Sequence, residues 1–168
     1  MAFEARGDLN EEEWEIYDED AHPYGPDWQK PMEDPITVPW KITISSNDFN
    51  LIEAGFHPRD LGDRWYVKSM PRDKGSHTLV VHFARFWSPA PLYTIAIKED
   101  GENATIESIT WEQFEGEDVL TEDWAKREVV HVAREMLECD LPGLEELSRD
   151  EWWPKYVEYR NSLTSSIP

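Results

Sequence analysis

Between residues 40 and 112 apolar side chains recur at every second position, in segments short enough to be strands. KITIS (41–45) alternates, with Ile42 and Ile44 on one side. DFNLIEA then reads as a brief helix, capped by Ser46 or Asn47 and stopped by Gly55, with Phe49, Ile52 and Phe56 as its buried stripe. RWYVKSM (64–70) places Trp65 and Val67 on one face. In HTLVVHFARFW (77–87), Leu79, Val81, Phe83 and Trp87 share a face, while Val80, Ala84 and Phe86 populate the other. Apolar residues on both faces predict an interior strand. LYTIAIK (92–98) aligns Tyr93, Ile95 and Ile97, and ATIESITWE (104–112) breaks its alternation between Ile106 and Ile109, the mark of a bulge.

The connections are those of hairpins. HPRDLGD (57–63), PRDKG (71–75) and EDGEN (99–103) are loops by composition, and Asp100-Gly101 is a hairpin signal. Parallel pairing needs a crossover of about a dozen residues, which none of the gaps within 64–112 supplies, so the sheet is expected to be antiparallel. A longer period follows. Thr121 caps a helix over 121–139, with Glu122 and Asp123 at the positive end of its dipole. Ala125, Val129, Val132, Ala133, Met136 and Leu137 form its apolar arc, which should lie on one face of the sheet. Leu141-Pro142-Gly143 ends it, and GLEELSRDEWWPKYVEYRNSL reads as one or two short helices split at Pro154.

The resulting expectation is an α+β fold: an antiparallel sheet of four or five strands with an amphipathic C-terminal helix packed on one face. The single domain spans 40–163, followed by a tail at 164–168. Residues 1–39 hold five prolines and no sustained period, and they read as an acidic, aromatic segment that is either disordered or docked.

Charge changes the picture. The formal net charge is −20, from 36 acidic and 16 basic residues. Residues 1–35 hold 12 acids and 2 bases, 99–123 hold 10 acids and no base, and 36–98 hold 5 acids against 8 bases. Such a chain repels phosphate backbones and anionic lipid, so direct nucleic-acid or membrane binding is not expected and a basic protein partner is. The single cysteine excludes an internal disulfide, and no apolar run is long enough for a bilayer. A cytoplasmic location, or a nuclear one, is the expectation that follows.

Motifs for catalysis are missing. His22, His57, His77, His82 and His131 show no metal-pair spacing, and the sequence has no CxxC, HExxH or GxSxG and no phosphate-binding glycine loop. Neither a metal nor a cofactor is expected. Cys139 lies beside Glu138 and Asp140, which disfavour a thiolate, so it is read as buried and inert.

Two constellations remain. Aromatics embedded in carboxylates combine long-range attraction with desolvated anchors, making Glu11, Glu12, Glu13, Trp14, Tyr17 and Trp28 candidate partner-binding residues, with Glu117 and Asp118 beside them. Arg64, Lys68, His82, Arg85 and Tyr93 form a candidate anion or ligand surface within a wider basic island that also includes Arg59, Arg72, Lys74 and Lys98. Alternatively, these bases protect sheet edges or hold the acidic tail. The functional expectation is a non-catalytic acidic protein, of the inhibitor or immunity type, that masks a basic partner such as a nuclease or other nucleic-acid-binding protein. The alternative is a small enzyme or ligand-binding domain with a pocket between the sheet and the C-terminal segment.

Overall fold

A computed structural model of the chain describes residues 30–59, 62–72, 75–86, 88, 90–144 and 158. The elements run β1 (Pro35–Ile44), α1 (Ser46–Ala54), β2 (Trp65–Ser69), β3 (Thr78–Arg85), β4 (Tyr93–Asp100), β5 (Asn103–Glu112), a small hairpin of β6 (Phe114–Glu115) and β7 (Asp118–Val119), and α2 (Glu122–Leu137). β1 to β5 form one antiparallel sheet in the order β1-β5-β4-β3-β2. The fold is therefore α+β, with the expected C-terminal helix packed against the sheet.

β1 starts at Pro35, well before the alternation in KITIS announces it. As an edge strand pairing only with β5, it tolerates Pro35 and Pro39, which carry no N–H. The anticipated bulge is present. Ala96 faces Ser108 and Ile97 faces Ile106, leaving Glu107 as an extra residue in β5. On the other side β1 answers with an extra residue of its own, so that Trp40 and Lys41 span the gap opposite Glu107. Trp40 turns inward and is buried, and Lys41 pairs with Glu107. The β4–β5 hairpin closes through Gly101 and Glu102; only Gly101 has positive φ (65°), the pattern of a type II′ turn.

One face of the sheet carries the core. Rows of Val67, Phe83, Tyr93 and Trp111, of Val81, Ile95 and Ile109, and of Leu79, Ile97 and Ile106 pack with Phe49 and Ile52 of α1 and with Val129, Val132, Ala133 and Leu137 of α2. Met136, inside the arc that periodicity draws, is only partly buried. Ser45, rather than Ser46 or Asn47, caps α1 by accepting from the Asp48 amide at 3.1 Å. Gly55 ends it at φ 71°, where an added Cβ would meet the Val67 carbonyl oxygen at 2.4 Å. Neither described helix is long and apolar enough to cross a membrane.

The two helices are tied together by a buried carboxylate. Asp48 is fully buried, and its two oxygens accept the backbone amides of Asp140 (3.0 Å) and Leu141 (2.9 Å) just beyond α2. Replacing Asp48 with Ala strands the buried Leu141 amide and removes the part-buried bond from the Asp140 amide, and should cost about 2–4 kcal/mol, roughly 1–3 kcal/mol of it from the buried donor. Denaturant unfolding of the variant checks this; a change under about 0.5 kcal/mol would mean that the ends of the helices are held by something else.

Candidate functional site

The sites suggested by sequence are distributed over three places. The first lies on the helix-covered face. Strand parity puts Arg85 and Tyr93 there, in line with Phe83. Arg85 stacks over the Trp65 ring at 4.1 Å, and Trp65 in turn stacks on Tyr93 with centroids 6.0 Å apart. The guanidinium donates to Glu115 from Nε (3.1 Å) and Nη2 (3.4 Å), and Nη2 also reaches Glu128 at 3.4 Å. The fully buried Tyr93 hydroxyl donates to Glu128 Oε1 at 2.7 Å. This network joins β3, β4, α2 and the β6–β7 hairpin.

Its electrostatics follow from the geometry. Burial works against the charged form of Arg85, but Glu128 and Glu115 overcome that and hold its pKa above the ordinary value. Burial, reinforced by the Glu128 charge, pushes the Tyr93 hydroxyl well above the usual phenol range although Arg85 opposes it. Arg85 is thus a cation already neutralised by two carboxylates, and Tyr93 is a locked donor. The arrangement latches the fold and leaves Arg85 poorly suited to gripping an external anion.

The second place is the opposite face of the sheet. Lys68, His82, Thr94, Thr110 and Thr37 form one row across all five strands. His82 Nδ1 lies 2.7 Å from Thr94 Oγ1, and the Thr37 and Thr110 hydroxyls are also 2.7 Å apart. His82 and Tyr93 therefore lie on opposite sides of the sheet and do not converge on one cleft. Arg64, exposed and at φ 61°, precedes β2. The five residues proposed as an anion or ligand surface are not brought together.

The third place is the β6–β7 hairpin, which the sequence did not signal. Glu117 lies in its turn and Asp118 opens β7. The ten acids of 99–123 do not form one surface. Asp100 and Glu102 sit at one end of the ten-residue β5, and Glu115, Glu117 and Asp118 lie beyond the other, about 30 Å away at ~3.3 Å per residue. Glu11, Glu12, Glu13, Trp14, Tyr17 and Trp28 lie outside the described residues, as does most of the C-terminal segment after Leu144.

Cys139 is buried, and its thiol is pushed up to about 12 by burial and by the charges of Asp48 and Asp140. The sequence foresaw Asp140; Asp48 arrives only through the fold. Among the described residues no cluster of histidine, cysteine and carboxylate side chains is arranged to hold a metal ion. Compared with protein-family models, curated proteins and solved structures, the chain matches none.

Two outcomes are expected. Glu128→Leu leaves Arg85 and the Tyr93 hydroxyl short of a partner inside the fold and should cost about 3–5 kcal/mol, as broken buried pairs do, whereas the double variant with Arg85→Met should recover much of that. Chemical unfolding of the three variants measures the coupling. For His82, burial holds the imidazole below its ordinary 6.5. The unfolded chain then takes up the proton first, so this contribution to stability is whole above pH 6.5 and is lost as pH falls through 6.5 toward the folded value. Wild type should lose more stability than His82→Gln between about pH 7.5 and pH 5, and equal losses would show that His82 is solvated in the folded state.

Proposed function

We propose that this chain is a non-catalytic protein-binding domain that presents carboxylates to a basic partner, acting as an inhibitor or immunity-type mask for a nuclease or another nucleic-acid-binding protein. The supporting observation is where the basic island spends its charge. Arg59 pairs with Asp63, Arg72 with Glu53 and Glu99, and Arg85 with Glu115 and Glu128. On α2, Lys126 and Arg127 pair with Glu122 and Asp123. With these bases engaged internally, the remaining charge is a large surplus of carboxylate, consistent with the net −20. A field of that sign speeds encounter with a cationic surface and turns away nucleic acid, so the domain would compete with nucleic acid for its partner.

The test has two stages. Immobilised full-length protein is used to capture basic proteins from a lysate of its source, and the binding kinetics of the captured protein are then followed from about 0.05 to 0.5 M salt. Over this range the Debye length contracts to less than about half. The association rate should fall at least tenfold while dissociation changes little, as for electrostatically steered pairs. An association rate indifferent to salt would sink this reading.

A further inference from the structure

The described surface leaves three large apolar side chains notably exposed: Ile36 at 36%, Phe114 at 48% and Val119 at 42%. All three belong to the same end of the molecule. Phe114 and Val119 face each other across the β6–β7 hairpin, and Ile36 pairs with Trp111, just before that hairpin leaves β5. Gln113 fastens the base of the hairpin to the start of β1, donating from its backbone N (3.2 Å) and its side-chain Nε2 (3.1 Å) to the Asp34 carbonyl. Leu120 N donates back to the Gln113 carbonyl at 2.7 Å, and Trp111 Nε1 donates to Leu120 O at 3.0 Å.

The orientation of the hairpin follows from its two residue pairs. Glu115 and Asp118 form one pair, and Glu115 turns to the body of the protein to meet Arg85. Side chains alternate along a strand, so the Phe114–Val119 pair takes the other side. An aromatic ring held half-exposed by an internally latched hairpin is a poor use of the fold unless something covers it. The surrounding charge decides what that is. Glu112 and Glu117 lie within a few residues of the pair, Glu112 accepting only the backbone amides of Glu33 and Asp34, and no base occurs between positions 99 and 123; Glu122 and Asp123 follow, each with a partner on α2 in Lys126 and Arg127. A second copy of a chain of net charge −20 would bring two acidic rims together, and anionic lipid is repelled for the same reason.

The geometry points to the Phe114–Val119 pair, at the end of the sheet where Ile36 is also exposed, as the docking surface for a basic protein, one that offers an apolar side chain set among lysines or arginines. This rests on the function proposed above and names the surface that performs it. Phe114 supplies the desolvated anchor, and the carboxylates supply the rim that steers the partner.

The test uses the full-length protein labelled with nitrogen-15 and two short synthetic peptides of equal positive charge, one alternating lysine with leucine and one alternating lysine with glycine. The lysine–leucine peptide should bind about tenfold more tightly, the worth of one well-buried apolar contact, and should shift the amides of residues 34–37 and 112–120. Phe114→Ala should abolish that preference while leaving the salt-sensitive binding of the lysine–glycine peptide intact. Its fold is checked by the near-ultraviolet signal of the Trp65–Tyr93 stack. Equal affinity for the two peptides, shifts confined to other regions, or a preference that survives Phe114→Ala would each overturn the inference while the acidic-surface reading stands. Sedimentation that shows a dimer of the full chain, dissociated by Phe114→Ala, would overturn it in favour of a second copy. If neither peptide binds at about 0.05 M salt, where charges are screened least, the acidic-surface reading falls together with this patch.

Discussion

One extra residue in β5 governs how this chain buries itself. In a regular strand Ile106 and Ile109 would point to opposite sides, and so would Ala104 and Trp111. The bulge at Glu107 brings all four to the same face, where they meet Ile97, Ile95 and Tyr93 of β4. Without it, half of β5 would turn its apolar side chains away from the helices, because a slip of one residue exchanges the faces of a strand. β1 follows the same irregularity with Trp40 and Lys41, which lets the Trp40 indole into the core and sets Lys126 of α2 over its ring at 5.8 Å.

On this face two polar devices divide the work between them. Asp48 holds the start of α1 against the end of α2, its carboxylate accepting two backbone amides and its carbonyl the Cys139 thiol. Arg85 holds the first half of α2 and the β6–β7 hairpin, through charge. Both bury polar side chains, and both satisfy them with more than one partner, which is the condition under which such burial is tolerated. The two fastenings act at different stretches of α2, so the helix is fixed in position along its length as well as in its distance from the sheet.

Much of the scaffold was legible in the chain. Local alternation marks the cores of β2 to β5, Asp100-Gly101 marks a turn, Thr121 marks the start of α2, and the interrupted period between Ile106 and Ile109 marks the bulge. These signals lie within a few residues of the structure they specify. Asp48 was not legible, because its partners are more than ninety residues away and nothing near it implies burial. The inward placement of Arg85, which was read as part of a ligand surface, and of Glu128 was missed despite available signals. Arg85 has the same parity as Val81 and Phe83, and Glu128 sits three residues after Ala125 and four before Val132, inside the apolar arc. Read by type they are surface charges; read by position they belong inside. The β6–β7 hairpin is two residues per strand, too short for any period to show. The proposed ligand surface failed to assemble for a related reason: Lys68 and His82 share one parity register, Arg85 and Tyr93 the other, and a sheet separates them.

The seclusion of Cys139 has a practical side. A thiol whose pKa is near 12 is ionised in only about one molecule in 10⁵ at neutral pH, and here it also lies in the core. Because it is the chain's single cysteine, the folded protein presents essentially no reactive thiol to maleimides or disulfide exchange. No disulfide within the chain can form under oxidising conditions. Any cysteine introduced on the surface would be the one nucleophile available for attaching a fluorophore or spin label, with the native residue left in place.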